Sequence, residues 1–219
     1  MTLSETLDHL VLACPDLAGG ACRFTELSGI RPVPGGSHPN RGTANLLVGM
    51  SVAGSAESRT YLEIIGPDPQ QGTAALDRLG LDVQTVTGLR LHTWAVRPGD
   101  FDAQVRQARA GGVEVGIVCD AARTTPSGAA LSWRLTRREP LPLAGCQPFL
   151  IDWGRTPHPS ARLEPGITLE ELEVRSPAAA GTRATLALLG AEVPVVDSPA
   201  YGLRAVFSGP AGRFEVISG

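Results

Sequence analysis

Two histidines and two glutamates fall into register when the chain is laid against itself. Pro15 and Pro98 align LDHLVLACPDL (residues 7–17) with RLHTWAVRPGDF (90–101), which places His92 on His9. Gly66 and Gly219 align TYLEIIG (60–66) with RFEVISG (213–219), which places Glu215 on Glu63. Imidazoles and carboxylates are the side chains that carry protons or ligate cations. In TYLEIIG the residues Tyr61, Glu63 and Ile65 share one face of a strand, and Leu62 and Ile64 fill the other. A glutamate buried there without a partner costs several kcal/mol, so Glu63 needs a metal, an arginine or water.

These residues must be held by repeated elements. Leu7, His9, Val11 and Ala13 alternate with Asp8, Leu10 and Leu12, which predicts a first strand with two occupied faces. DLAGGACRFTELSG (16–29) predicts a helix with Asp16 as N-cap and Gly29 as its stop. The Pro- and Gly-rich loop at 31–42 leads to strands at about 43–50 and 59–66. A second unit repeats the order, with a strand at about 89–97, a helix at 101–112 and strands near 114–118, 127–136 and 147–153. A third, shorter unit has a strand at 167–177, a helix at 178–190 and three strands in VPVV, LRAVF and RFEVIS. The fold class is therefore α+β, built of β-α-β-β-β modules at 5–67, 88–155 and 165–219, with a linker at 68–87 that carries a short helix at TAALDRLG. Because modules 1 and 2 are adjacent and closer in length, they are expected to pair (1–155), with module 3 extending or capping them or pairing with another copy.

The bulk numbers exclude several functions. At 219 residues and a net charge of −3, the chain is long enough for a sizeable core and lacks the basic surplus of a nucleic-acid binder. All 19 basic residues are arginines, so Schiff-base chemistry and a lysine base are excluded, and any cationic clamp must be a guanidinium. Cys14, Cys22, Cys119 and Cys146 form no C-x-x-C pair and read as free thiols. The N-terminus does not read as a signal peptide, and no apolar run approaches the ~20 residues of a membrane span. A soluble cytoplasmic protein with no membrane partner is the expectation.

LDHLVLACPDL, GGSHPNRGTANLLVGM (35–50), TYLEIIGPDP (60–69) and PFLIDWG (148–154) together resemble the glyoxalase-like domain group of the vicinal oxygen chelate superfamily. The resemblance spans roughly residues 5–175 and is strongest in the first module. It implies paired modules curled into an incomplete mixed-sheet barrel around a site, with a divalent metal held by the first and fourth strands of each. Enzymes of that superfamily include isomerases, ring-cleaving dioxygenases, epimerases and fosfomycin-modifying transferases, and some members bind drugs without catalysis. The resemblance puts metal ligands at His9, Glu63 and His92. The fourth position departs from the pattern, because Gly154 registered on Gly66 brings Ile151, with Asp152 beside it, to the place of Glu63. Two imidazoles and one carboxylate with open positions suit Fe, and equally Zn, Mn or Ni. If modules 1 and 3 pair instead, the set becomes His9, Glu63, Glu171 and Glu215.

Around that set, Glu63 and His38 are the candidate catalytic groups, with His38 as an outer base. Arg41, Asn45, Tyr61 and Trp94 are the candidate substrate contacts, with Arg41 clamping an anion and Trp94 sharing the face of His92. HPNRG, which includes Asn40, reads equally well as a plain turn. His158 in RTPHPS reads as a linker residue. Three readings stay open: a divalent-metal-dependent lyase, isomerase or dioxygenase on a small vicinal-oxygen metabolite; a metal-free small-molecule binding or sequestering protein; and a purely structural role for the aligned residues. A small-molecule substrate and a homodimer are the expected partners.

Overall fold

Leu7–Ala13 forms strand β1, buried along its whole length and flanked on both edges, by a parallel strand β4 (Ser55–Pro67) and an antiparallel strand β5 (Arg90–Val96). The computed structural model describes residues 5–39, 41–71, 81, 83 and 86–218, the side chains of 56–59 apart. The helix expected at 73–80, Asn40 and Gly219 lie outside the described residues.

Between β1 and β4 come helix α1 (Leu17–Ser28) and strands β2 (Val33–His38) and β3 (Thr43–Val52). Asp16 caps α1 by accepting from the N–H groups of Ala18 and Gly19. Gly29, at φ 76°, ends it in the left-handed conformation that glycine adopts without a Cβ clash. After β5 come helix α2 (Phe101–Ala110) and strands β6 (Ile117–Thr124), β7 (Ala130–Arg137) and β8 (Phe149–Asp152). The strand expected near 114–118 starts later because Gly116 turns at φ 75° against the Arg137 carbonyl, leaving Val113 and Val115 to the core. The chain continues with β9 (Pro165–Ser176), helix α3 (Ala179–Leu188), β10 (Val195–Asp197), β11 (Gly202–Gly209) and β12 (Gly212–Ile217).

Eight strands join edge to edge in the order β3-β2-β6-β7-β8-β5-β1-β4, and β4 pairs back to β3. The result is a closed mixed-sheet barrel where an incomplete one was expected. Its seam, between β2 and β6, is a single bridged pair, Ser37 with Thr124. All eight strands come from the first two strand-helix-strand-strand-strand runs. The third run extends the sheet outward: β9 lies parallel to the second half of β3, followed by β11 and β12, with β10 on its other edge.

Alternation divides the apolar residues between two layers. Leu10, Leu12, Leu62, Ile64 and Trp94 belong to the large outer core, which also takes in Phe24 of α1, Leu186 of α3 and Phe207 of β11. Each such fully buried side chain contributes about 1.5–3 kcal/mol. The other parity gives smaller groups that include Val11 and Ile65, and Leu47, Tyr61, Ala95, Ile151 and Trp153. The barrel interior holds the cavity described next.

Candidate functional site

Two bulges decide which polar residues meet. The pairing of β1 with β5 steps from Leu7–Val96 to His9–Ala95, so Asp8 is an extra residue on β1. A bulge re-aims a side chain, and Asp8, though next to His9 in sequence, places its carboxylate Oδ1 2.6 Å from His9 Nδ1. The pairing steps again between Val11–Thr93 and Leu12–Leu91, which makes His92 the extra residue on β5. His92 Nε2 meets the Leu81 carbonyl at 2.5 Å, and His92 does not line the cavity.

The barrel cavity has a volume of about 450 Å³, within the usual range for small-molecule sites. His9, His38, Asn45 and Glu63 line one side, and Tyr61, Trp133, Phe149 and Trp153 supply much of the apolar wall. His9 stacks on Tyr61 with ring centroids 4.6 Å apart, and Phe149 meets it edge-on at 5.5 Å.

A chain of polar contacts runs through this wall. His9 Nε2 faces Glu63 Oε2 at 3.4 Å. Asn45 Nδ2 donates to Glu63 Oε1 at 2.6 Å, and Arg123 Nη1 donates to Asn45 Oδ1 at 3.2 Å. Asn45 Nδ2 also lies 3.4 Å from His38 Nε2. That nitrogen can only accept there, so the other, Nδ1, carries the proton and donates to Thr43 Oγ1 at 3.0 Å. Behind His9, Asp8 is fully buried and accepts from His158 Nε2 at 3.0 Å and Trp153 Nε1 at 3.2 Å, with Arg97 Nη1 at 3.6 Å.

The electrostatics follow from these contacts. Burial alone would raise Asp8, but the hydrogen bonds from His158 and His9 outweigh it and hold the carboxyl well below the usual range. Burial pulls His9 down, yet Asp8 and then Glu63 outweigh it and lift the imidazole to about 9. Glu63 is pushed up by burial and, more strongly, down by His9 and Asn45, to about 2. His38 is lowered by burial, with the Arg123 charge adding to it and Glu63 opposing. At neutral pH the site therefore reads carboxylate, imidazolium, carboxylate, amide, guanidinium, with a neutral His38 beside it.

The structure brings together His9, Glu63, His38, Asn45, Tyr61 and Arg41 as cavity-lining residues. It corrects other expectations. His92 is removed by its bulge. Trp94 faces the outer core, where it is fully buried and donates to the Cys146 carbonyl at 3.0 Å. Glu171 and Glu215 lie on β9 and β12, outside the barrel, pair with Arg204 at 2.6 and 2.7 Å and do not line the cavity. Asp152 pairs with Arg134 at 2.8 Å. Ile151 is buried among the barrel's inner apolar residues.

A divalent ion held by His9, Glu63 and His92 therefore does not fit these residues. Only two of the three converge, and the second unit adds an isoleucine where a carboxylate was needed. Among the described residues no group of three or more His, Cys, Asp or Glu side chains is arranged to hold a metal. The described cysteines are free, as expected, and no described helix is long and apolar enough to cross a membrane.

Asp8, Arg123 and His158 were not anticipated as site residues. Alternation assigned Asp8 to the opposite face, and only the bulge reverses that. Arg123 has no sequence signal among 19 arginines.

Comparison with known proteins gives the following. The glyoxalase-like domain profile matches residues 7–190. A hypothetical protein from Staphylococcus aureus superposes with a TM-score of 0.66 at 14% identity, covering 89% of this chain and 87% of that one. A methylmalonyl-CoA epimerase variant from Streptomyces coelicolor in complex with 2-nitronate-propionyl-CoA gives 0.44 at 17% identity, covering 72% of this chain and 100% of that one. Methylmalonyl-CoA epimerase from Mycobacterium tuberculosis gives 0.38 at 20% identity, with 69% and 88% covered. No curated protein matches.

Proposed function

The chain belongs to the glyoxalase-like domain family, and from that premise we propose that its barrel cavity is an acid–base site for a small oxygenated metabolite, working as an isomerase or lyase. The observation that carries this reading is a buried carboxylate, Glu63, facing an otherwise largely apolar and aromatic cavity with the His9 imidazole 3.4 Å away, a pairing that favours the charged form of both.

A carbonyl compound seated against the two would meet both partners of a proton transfer. Glu63 takes the proton from the carbon next to the carbonyl, the C–H electron pair moves onto the carbonyl oxygen, and His9 supports the developing enolate by hydrogen bonding. Return of the proton to carbon completes an isomerisation; departure of a neighbouring group completes an elimination. A carboxylate near pKa 2 is a weak base at rest. A ligand that excludes water and separates Glu63 from His9 removes the attraction holding it down, and burial then raises it toward a useful value. Asp8, fixed by Trp153 and His158, keeps His9 oriented and charged throughout.

Solvent-deuterium incorporation tests this without knowledge of the net reaction. Small 2-oxo and 2-hydroxy carboxylates are incubated in D2O with the wild type and Glu63→Gln, and exchange at carbon is followed by proton NMR. The expected outcome is exchange with at least one compound, reduced roughly 10²–10⁴-fold in the variant. Exchange that survives the substitution would refute Glu63 as the base. Tight binding with no exchange favours the sequestering reading, for which the apolar Ile151 in place of a polar ligand is the supporting observation.

A further inference from the structure

Arg123 is a charged side chain with only 4% of its surface exposed, and it lines the barrel cavity. A buried guanidinium is ordinarily matched by a carboxylate. Among the described residues Arg123 has no ion-pair partner; its Nη1 donates to the neutral Asn45, and its Nε has no hydrogen-bond partner at all. The backbone is shaped to admit it. A Cβ on Gly35 would stand 2.9 Å from Arg123 Nη1 and would collide with Asn45 Oδ1, and one on Gly36, at φ 145°, would collide with the Thr124 carbonyl. Two consecutive glycines at the seam of the barrel thus leave space for a guanidinium with which no acid among the described residues pairs.

We propose that Arg123 is the anchor for a carboxylate of the ligand, so that the cavity takes small carboxylic acids. This deepens the acid–base reading by naming the substrate class, and it rests on the same cavity. A guanidinium offers paired N–H donors that match a planar carboxylate. Asn45 fixes the arrangement, since its carbonyl accepts from Arg123 while its amide donates to Glu63. A ligand carboxylate on Arg123 therefore places the rest of the molecule one amide away from Glu63. The same proximity disfavours a phosphate, whose second charge would face the fixed negative charge of Glu63. The aromatic wall of Trp133, Trp153 and Phe149 suits a flat organic body.

Trp133 and Trp153 line the cavity, so their fluorescence reports binding without turnover. The intact wild-type protein is titrated with benzoate, benzamide and phenyl phosphate, alongside Arg123→Met and Arg123→Lys, with thermal melts to verify folding. Benzoate is expected to bind the wild type roughly ten- to a hundredfold more tightly than benzamide does, and more tightly than phenyl phosphate. Arg123→Met should lose that preference, and Arg123→Lys should keep part of it. Equal binding of benzoate and benzamide to the wild type, absence of benzoate binding, or undiminished benzoate binding by a folded Arg123→Met protein would each overturn the assignment. If Arg123→Met does not fold, the benzoate–benzamide ratio in the wild type and in Arg123→Lys decides. Preference for phenyl phosphate overturns it in favour of a phosphate ligand. Failure here leaves deuterium exchange untouched, and loss of exchange leaves this binding result untouched.

Discussion

Asp8→Asn is the substitution on which the electrostatics of the site bear most directly. In the wild type His9 sits between two carboxylates and is lifted from 6.5 to about 9. At about 1.4 kcal/mol per pH unit, that elevation corresponds to about 3 kcal/mol of stability. The depressed value of Glu63 is largely the same attraction seen from the other partner and is not added. A group whose pKa is raised on folding stabilises the fold fully below its unfolded value and loses that contribution as pH rises through the folded one. The His9 contribution is thus complete below pH 6.5 and gone above about 9. Asparagine at position 8 can still accept from Trp153 but carries no charge for His9, His158 or Arg97. Wild-type stability should therefore fall by about 3 kcal/mol between pH 6.5 and 9.5, and Asp8→Asn should lie at least that far below it at pH 6.5. For a chain of this size this corresponds to a melting point about 6–12 °C lower. The variant should also show a flatter profile from pH 6.5 to 9.5. Urea denaturation at three pH values reads all of this. A variant within 1 kcal/mol of the wild type at pH 6.5, or a wild-type profile flat across that range, would refute the paired-carboxylate account of His9.

Two further outcomes follow from the geometry. Gly36→Ala puts a Cβ against the Thr124 carbonyl at φ 145° and should cost about 1–3 kcal/mol, seen as a lowered urea midpoint; an unchanged midpoint would mean that the seam is looser than its geometry. Glu171→Ala, on the solvent-facing arginine pairs of the third unit, should leave the melting temperature and cavity ligand binding unchanged; altered ligand binding would return Glu171 to the site.

Sequence periodicity made the element order readable because it depends on local chemistry. The helix expected at 16–29 is Leu17–Ser28, capped by the expected Asp16 and Gly29; that expected at 178–190 is Ala179–Leu188. Glu63 and Tyr61 share the cavity face as strict alternation requires. Alternation fails where a strand carries one residue too many, and the misplacements of His92 and Asp8 arise there. Aligning Pro15 with Pro98 put His92 on His9, but a bulge in β5 at His92 breaks the correspondence, while a bulge in β1 at Asp8 swings that carboxylate to His9. Such bulges are set by pairing between strands distant in sequence, which a repeat alignment does not contain. His158 looked like linker because its partner, Asp8, lies 150 residues away.

Strand β3 belongs at once to the barrel and to its extension. Its first half pairs with β2 in the barrel wall, its second half with β9, and its far edge with β4 throughout. The third unit is therefore not an appendage on a tether. It also grips the other two through the Gly190 carbonyl, which accepts from Thr6 at 2.7 Å, and through Phe214 packed edge-on against Phe24. Detaching it would bare half of a long strand edge and the apolar flank of the barrel, the exposure from which chains aggregate. The third run is joined to the barrel here by sharing an edge. In evolutionary terms, such a run becomes hard to lose once the barrel has come to depend on its cover.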